Sequence, residues 1–410
     1  MTESSITGVL RVIPDGSVTT PEGFYAGAVY AGVKTYGDDK LDLGILYSDR
    51  PCHVAAVFTR NEVKGACVLV TMEHVADGRA QALVVNAGCA NVCTGEQGLE
   101  DAREMARLAA LRTGAAARDV LVCSTGVIGV PLPMDRIREG IARITLDPDG
   151  GRALARAIMT TDTRPKHIAM QFQHEGRTYA VGGIAKGSGM IHPDMATMFC
   201  FLTTDAPVAP AFLDATLRSV ADRTFNMVSV DGDTSTSDTM AVLANGAAGG
   251  DPIDAGHGAA QLFQEALYGV SLHLAREIAR DGEGASRLIE VRVYGAATKE
   301  EARRAARAVT VSPLVKTAVY GRDPNWGRVM MAVGRSGARV DVSRAVVRLG
   351  DVAVFVRGRP VPFDEEEVRA ILGAPEVRIE VNLGVGSEGA TAWGCDLTEA
   401  YVRINSEYTT

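Results

Sequence analysis

Residues 183–206 read GIAKGSGMIHPDMATMFCFLTTDA. A sulfur-rich apolar run, Met195-Ala196-Thr197-Met198-Phe199-Cys200, follows a glycine-rich loop that carries Lys186, His192 and Asp194. Thr197 has three attributes of a nucleophile: the small Ala196 before it, a flexible approach, and apolar flanks that exclude water. A hydroxyl in that setting suits nucleophilic attack. Most buried threonines instead fill space in a strand and bond a backbone carbonyl, and the run alone leaves both readings open.

An acyl-transfer site also needs donors aimed at the developing oxyanion. The loop CSTGVIG supplies candidates in Thr125 and Gly126, a hydroxyl and a backbone N–H at the end of an apolar strand. The alternative is a plain turn with Gly126 at positive φ. Lys186 and Glu283, the latter in DGEGAS, read either as binding charges or as solvated loop charges. His192 reads as a structural histidine or as a general base. Asp323, Asn325 and Arg328 of RDPNWGR read as a hydrogen-bonded turn over Trp326, or as groups close to substrate.

Such loops need a rigid scaffold. Forty-four glycines punctuate a chain of 410 residues in which strand-like runs alternate with helical ones, so a mixed α/β architecture is expected. The runs 54–60, 82–88, 120–126 and 287–296 have strand character. Residues 98–113 place Ala102, Met105, Ala106, Ala109 and Ala110 on one helical face. Similar helical patterns run through 151–160, 209–223, 258–280 and 298–308.

With 46% hydrophobic and 22% charged residues the chain is ordinary for a folded domain. The formal charge of −8 argues against a nucleic-acid surface, and no apolar run is long enough to cross a bilayer. A cytoplasmic location is expected. Seven scattered cysteines fit a reducing compartment, and no second pair or nearby histidine completes a zinc site around Cys89 and Cys93. No metal is expected.

The segments NAGCANVCTGEQG, CSTGVIG, MTTDTRPK, AKGSGMIHPDMATM, SVDGDTSTSDT, DGEGAS, SPLVKTAVYGRDPNWGR and GCDLTEAYVRINSEYTT stand in this order along nearly the whole chain. Together they resemble the ornithine acetyltransferases, the glutamate N-acetyltransferases of arginine biosynthesis. The resemblance implies a two-lobed α/β fold of the N-terminal-nucleophile type, with strands shared between two fragments made by autocleavage at Ala196–Thr197. Residues 1–196 become one chain and residues 197–410 the other, with Thr197 as the new N-terminus and nucleophile.

The chemistry is consistent with that. The Thr197 hydroxyl attacks the preceding carbonyl, water releases the ester, and the freed α-amine, with a pKa of about 8, becomes a base on the same residue. The family uses the pair Thr125 and Gly126 as the oxyanion hole. Its substrate contacts map onto Thr161, Lys186, Thr197, Glu283, Asn405 and Thr410. The implied reaction moves acetyl from N-acetylornithine to glutamate without a cofactor, with acetyl-CoA as a candidate second donor, in a heterotetramer of two chains of each kind. The rivals are an amidohydrolase or aminopeptidase on the same scaffold, a non-catalytic amino-acid-binding protein and a paralogue of altered acyl specificity. The last arises because the family pattern NSGNAN is NAGCAN here (Ala87, Cys89), TSTNDT is TSTSDT (Ser237), and GEGATK is GEGASR (Ser286, Arg287).

Overall fold

The computed structural model describes residues 10–34, 40–192 and 198–407. The expectations for Asp194, Ala196, Thr197 and Thr410, and for the Ala196–Thr197 bond, lie outside the described residues.

Among the described residues the apolar runs form sixteen strands. Before residue 197 come β1 (Leu10–Ile13), β2 (Phe24–Val29), β3 (Leu43–Phe58), β4 (Arg79–Cys89), β5 (Val120–Val127), β6 (Lys166–His174) and β7 (Arg177–Lys186). After it come β8 (Phe199–Thr204), β9 (Val228–Ser229), β10 (Thr239–Ala244), β11 (Leu288–Ala296) and β12 (Val346–Leu349). The last four are β13 (Val352–Val356), β14 (Arg359–Pro360), β15 (Glu376–Asn382) and β16 (Glu388–Cys395).

One sheet runs β1-β6-β7-β8-β10-β3-β4-β5, with β2 also paired to β3, and the other runs β14-β13-β12-β15-β11-β16-β9. The mixed α/β expectation is borne out. So is the sharing of strands, because β8 and β10, from after residue 197, sit between β7 and β3, from before it.

Alternation explains why the run FCFL is apolar throughout. Phe199 and Phe201 of β8 face one buried layer with Ile184, Leu46 and Leu154. Cys200 and Leu202 face another, with Leu217, Val270 and Leu274. A strand covered on both faces has no polar side to show. Each fully buried phenylalanine contributes roughly 1.5–3 kcal/mol relative to exposure. β4 divides the same way, Ala82 and Val84 meeting one cluster and Leu83 and Val85 the other.

The helix Gly95–Thr113 buries Ala102, Met105, Ala106, Ala109 and Ala110, the face its spacing predicts. The expected strand at 54–60 is the second half of the longer β3. Asp49–Pro51 are exposed in its middle, and the register to β4 shifts between Tyr47 and Cys52, so the pattern reads as broken. No helix among the described residues is long and apolar enough to cross a membrane.

Candidate active site

Three strand ends meet at Phe199, two residues after Thr197 in the sequence. β7 ends at Lys186, whose partner in register is Phe199, the first residue of β8. Phe199 also pairs with Thr239, the first residue of β10, and Asp238 immediately precedes it. On β5, Thr125 and Gly126 lie beside Ala87 and Gly88 of β4. Gly126 has φ +128°, and an added Cβ would stand 2.3 Å from the Gly88 carbonyl carbon. The turn therefore has the positive φ of the plainer reading, and it also brings two backbones together as only glycine permits.

A cavity of about 100 Å3 is lined by Thr125, Gly126, Thr161, Lys186, Glu283 and Asn405. Every candidate substrate or oxyanion residue that falls within the described residues is on its wall. Ser235, Thr236 and Ser237 complete a hydroxyl-rich side. Of the positions that depart from the family pattern, Ser237 is the one on this wall. A smaller adjoining space of about 20 Å3 is lined by Thr125, Lys186, Asp238, Phe199 and Met198, the last joined by a peptide bond to Thr197.

Lys186 and Glu283 are not solvated: they are 8% and 7% exposed. The Lys186 ammonium donates to the Thr125 hydroxyl at 3.4 Å. Burial pushes Lys186 below the usual lysine value, while the charges of Asp162, Asp238 and Glu283 oppose that shift. Glu283 accepts from the Asn405 amide at 2.8 Å, so the C-terminal helix Glu399–Glu407 reaches back to the cavity. Gly189 lies flat against the Glu283 carboxylate, 2.3 Å from the place a Cβ would occupy. The slot thus presents one buried cation and one buried anion.

A second layer of carboxylates fixes these groups, and inspection of the chain did not single it out. Lys166 donates to Asp162 and to Asp281, each at 2.6 Å, with all three side chains nearly solvent-free. Asp162 also accepts from the Gly187 N–H at 2.7 Å, which ties the loop after Lys186 to the segment of Thr161. Burial opposes ionisation of Asp162, yet Lys166, Lys186 and the Gly187 N–H hold its carboxyl below the usual range. Asp231 accepts from the backbone of Met190 and Ile191, at 2.6 and 3.0 Å. Asp238 is 3% exposed, and its Oδ2 has no hydrogen-bond partner among the described residues. Burial pushes its carboxyl well above the usual range, against the pull of Lys186. Asp162 lies in a loop and Lys166 opens β6, so no helical spacing announces their pairing.

Other candidates lie elsewhere. His192 is bonded to Ser229 through Nδ1 and to Arg307 through Nε2, at 3.1 and 2.8 Å, and lines a different cavity. In RDPNWGR the turn is closed by Asn325 N–H to the Asp323 carbonyl at 2.7 Å, and Trp326 stacks on Phe355 at 5.0 Å. Asp323, Asn325 and Arg328 are not among the described residues that line the slot; Asp323 and Asn325 line a separate small space.

A mixed α/β scaffold that gathers threonine hydroxyls, a glycine at positive φ and one buried charge of each sign at strand ends defines a site able to hold a small zwitterion beside hydroxyl and amide groups. The chain belongs to the ArgJ family, which it matches over residues 25–410. It is 50% identical to the arginine biosynthesis bifunctional protein ArgJ of Dehalococcoides mccartyi over 402 residues, 98% of this chain and 99% of that one. Identity to the same-named protein of Symbiobacterium thermophilum is 53% over 397 residues, 96% of this chain and 99% of that one. Among solved structures, the arginine biosynthesis bifunctional protein argJ of Bacillus halodurans is 44% identical, with a TM-score of 0.50, covering 51% of this chain and 98% of that one.

Proposed function

We propose that the chain is a self-processing acyltransferase of arginine biosynthesis that moves acetyl from N-acetylornithine to glutamate through an ester on Thr197. The observation that carries this reading is the convergence of Thr125, Gly126, Thr161, Lys186, Glu283 and Asn405 on one slot whose annex is lined by Met198.

In maturation, the Thr197 Oγ attacks the Ala196 carbonyl carbon and the peptide nitrogen leaves as the α-amine. Water then hydrolyses the ester, giving a carboxylate on Ala196 and a free hydroxyl on Thr197. In turnover, that amine accepts the hydroxyl proton as Oγ attacks the acetyl carbonyl of the donor. The Thr125 hydroxyl and the Gly126 N–H stabilise the oxyanion. The amide C–N bond breaks, its nitrogen takes the proton, and ornithine departs. The glutamate amine then attacks the acetyl-Thr197 ester, restoring the hydroxyl.

Lys186 holds the α-carboxylate common to both amino acids, and Glu283, oriented by Asn405, receives the ornithine ammonium. The scheme uses no cofactor. The two fragments, 1–196 and 197–410, work as a heterotetramer of two copies each, which native mass spectrometry of the purified protein tests.

The decisive assay supplies N-acetylornithine with and without glutamate. Parallel initial-rate lines and an adduct of roughly 42 Da on the Thr197 fragment are expected from a ping-pong ester route. Ornithine release that ignores glutamate and yields no acetylglutamate identifies a hydrolase instead. Acetyl-CoA offered alone with glutamate tells whether it is a second donor.

A further inference from the structure

A far larger cavity, of about 1070 Å3, lies on the other side of the loops that wall the slot. His192 and Thr234 face it, the Thr234 hydroxyl bonding the His192 carbonyl at 3.3 Å, while the next residues, Ser235 to Ser237, face the slot. Among the described residues its lining holds eight lysine or arginine side chains and two carboxylates, Asp222 and Glu300. In a chain of formal charge −8 that concentration of positive charge demands a cause.

The charges come from separate elements. Arg218 lies within the helix Pro210–Arg223 and Arg223 ends it. Lys299, Arg303 and Arg307 recur every fourth residue on the helix Lys299–Thr310, with Arg304 beside them, and Arg335 follows the helix Trp326–Gly334. Arg218 is paired with Asp214, and Arg303 lies against Asp222 and Glu300.

Four others have no carboxylate partner among the described residues. Arg304 and Arg335 spend one N–H each on the carbonyls of Gly337 and Ala308, at 3.1 and 3.3 Å. Arg223 lies over the Tyr268 ring at 4.2 Å. Lys299 is exposed. Carbonyls and ring faces leave the positive charge uncancelled. Seven of the eight cations are arginine, whose planar fork matches the oxygens of phosphate.

We propose that this cleft binds a small molecule bearing two or more phosphate groups, held by Arg223, Lys299, Arg304 and Arg335. Its volume suits a nucleotide-sized ligand. A nucleic-acid strand would need the cations spread along a track, whereas here they converge on one concavity. The occupant touches the loop whose opposite side forms the acyl slot, so the two sites share a wall.

The test is calorimetric titration of the purified, full protein with coenzyme A, ADP and inorganic pyrophosphate, at low and high salt. Saturable binding of at least one probe, weakened by salt, is expected. The double variant Lys299→Gln/Arg304→Gln should weaken it by roughly tenfold or more, since each lost contact is a charge-assisted hydrogen bond. Both side chains are exposed, and unchanged acyl transfer with an unchanged melting temperature certifies the fold. If that variant is unstable, Arg335→Gln is measured in its place.

Tightest binding of coenzyme A or of ADP identifies the organic moiety that is read, and equal binding of all three means that the phosphates alone are read. Absence of saturable binding by the wild type, or equal binding by a folded variant, overturns the proposal. A variant that binds no probe less tightly but falls apart into smaller oligomers makes the cleft a contact between copies and likewise overturns it.

Discussion

The Lys186 ammonium and the Thr125 hydroxyl, 61 residues apart in sequence, meet at 3.4 Å inside the slot. One strand end thus delivers a buried cation to the hydroxyl delivered by another, and each can be removed separately. Thr125→Ala should lower kcat by about 10² to 10³ if the hydroxyl stabilises the oxyanion. Steady-state kinetics on fully cleaved protein measures this, and wild-type kcat would remove Thr125 from the chemistry.

Lys186→Ala should act mainly on KM, because a lysine holding a carboxylate acts alike in ground and transition states. Burial lowers the Lys186 pKa from its usual 10.5, so its charge is lost at a lower pH than that of a surface lysine. KM for N-acetylornithine should therefore rise on the alkaline side before pH 10.5. In Lys186→Arg, where the guanidinium stays charged, that alkaline rise should disappear. An identical alkaline profile in both proteins would assign the titration elsewhere.

Asp238 gives a stability prediction with a definite sign. Its carboxyl is raised well above the unfolded value of 3.8, so the folded state binds the proton more tightly, and stability is lost as pH climbs from that value towards the folded pKa. Asp238→Asn keeps the shape without the charge. Its melting temperature should exceed that of the wild type at pH 8, and the gain should vanish towards pH 4. A deficit at pH 8 would mean that the charged form is the one the fold wants.

Lys166→Met should be costly, by about 3–5 kcal/mol, since it leaves Asp162 and Asp281 buried together without their cation. Asp162 has the opposite sign from Asp238: its folded pKa is depressed, so its contribution is present above pH 3.8 and fades as pH falls below it. Chemical denaturation of the wild type and of this variant measures the difference. Equal midpoints would show that the triad adds nothing to stability.

Cleavage is checked by intact mass. Purified wild type should consist of pieces of 196 and 214 residues, the second being 410 minus 196, and Thr197→Ala should stay whole. An uncut wild type with full activity contradicts the scheme.

Much of this was readable in the chain. The alanine-rich face of Gly95–Thr113 follows from spacing, and Thr125, Gly126, Thr161, Lys186, Glu283 and Asn405 came from motif resemblance and share one wall. The environment of Lys186 and Glu283 was not readable, because a charge in a glycine-rich loop looks solvated until distant strands enclose it. Asp281 is bonded to Lys166 across 115 residues, and no local pattern announces such a pairing. Asp238 acquires its meaning only from burial. The arginines of the large cleft are scattered from residue 60 to residue 335, so no basic run betrays them.

The position of β8 and β10 between β7 and β3 means that the first sheet cannot be completed until residues after 197 are made. When the ribosome has made only the first 196 residues, β7 and β3 each present an open edge, the kind of edge that recruits foreign strands. Those edges are covered only once β8 and β10 have emerged and inserted between them. Under the proposed processing, a cut made before that insertion would leave those edges unpaired, so an uncut chain keeps the missing strands tethered beside them until the sheet closes.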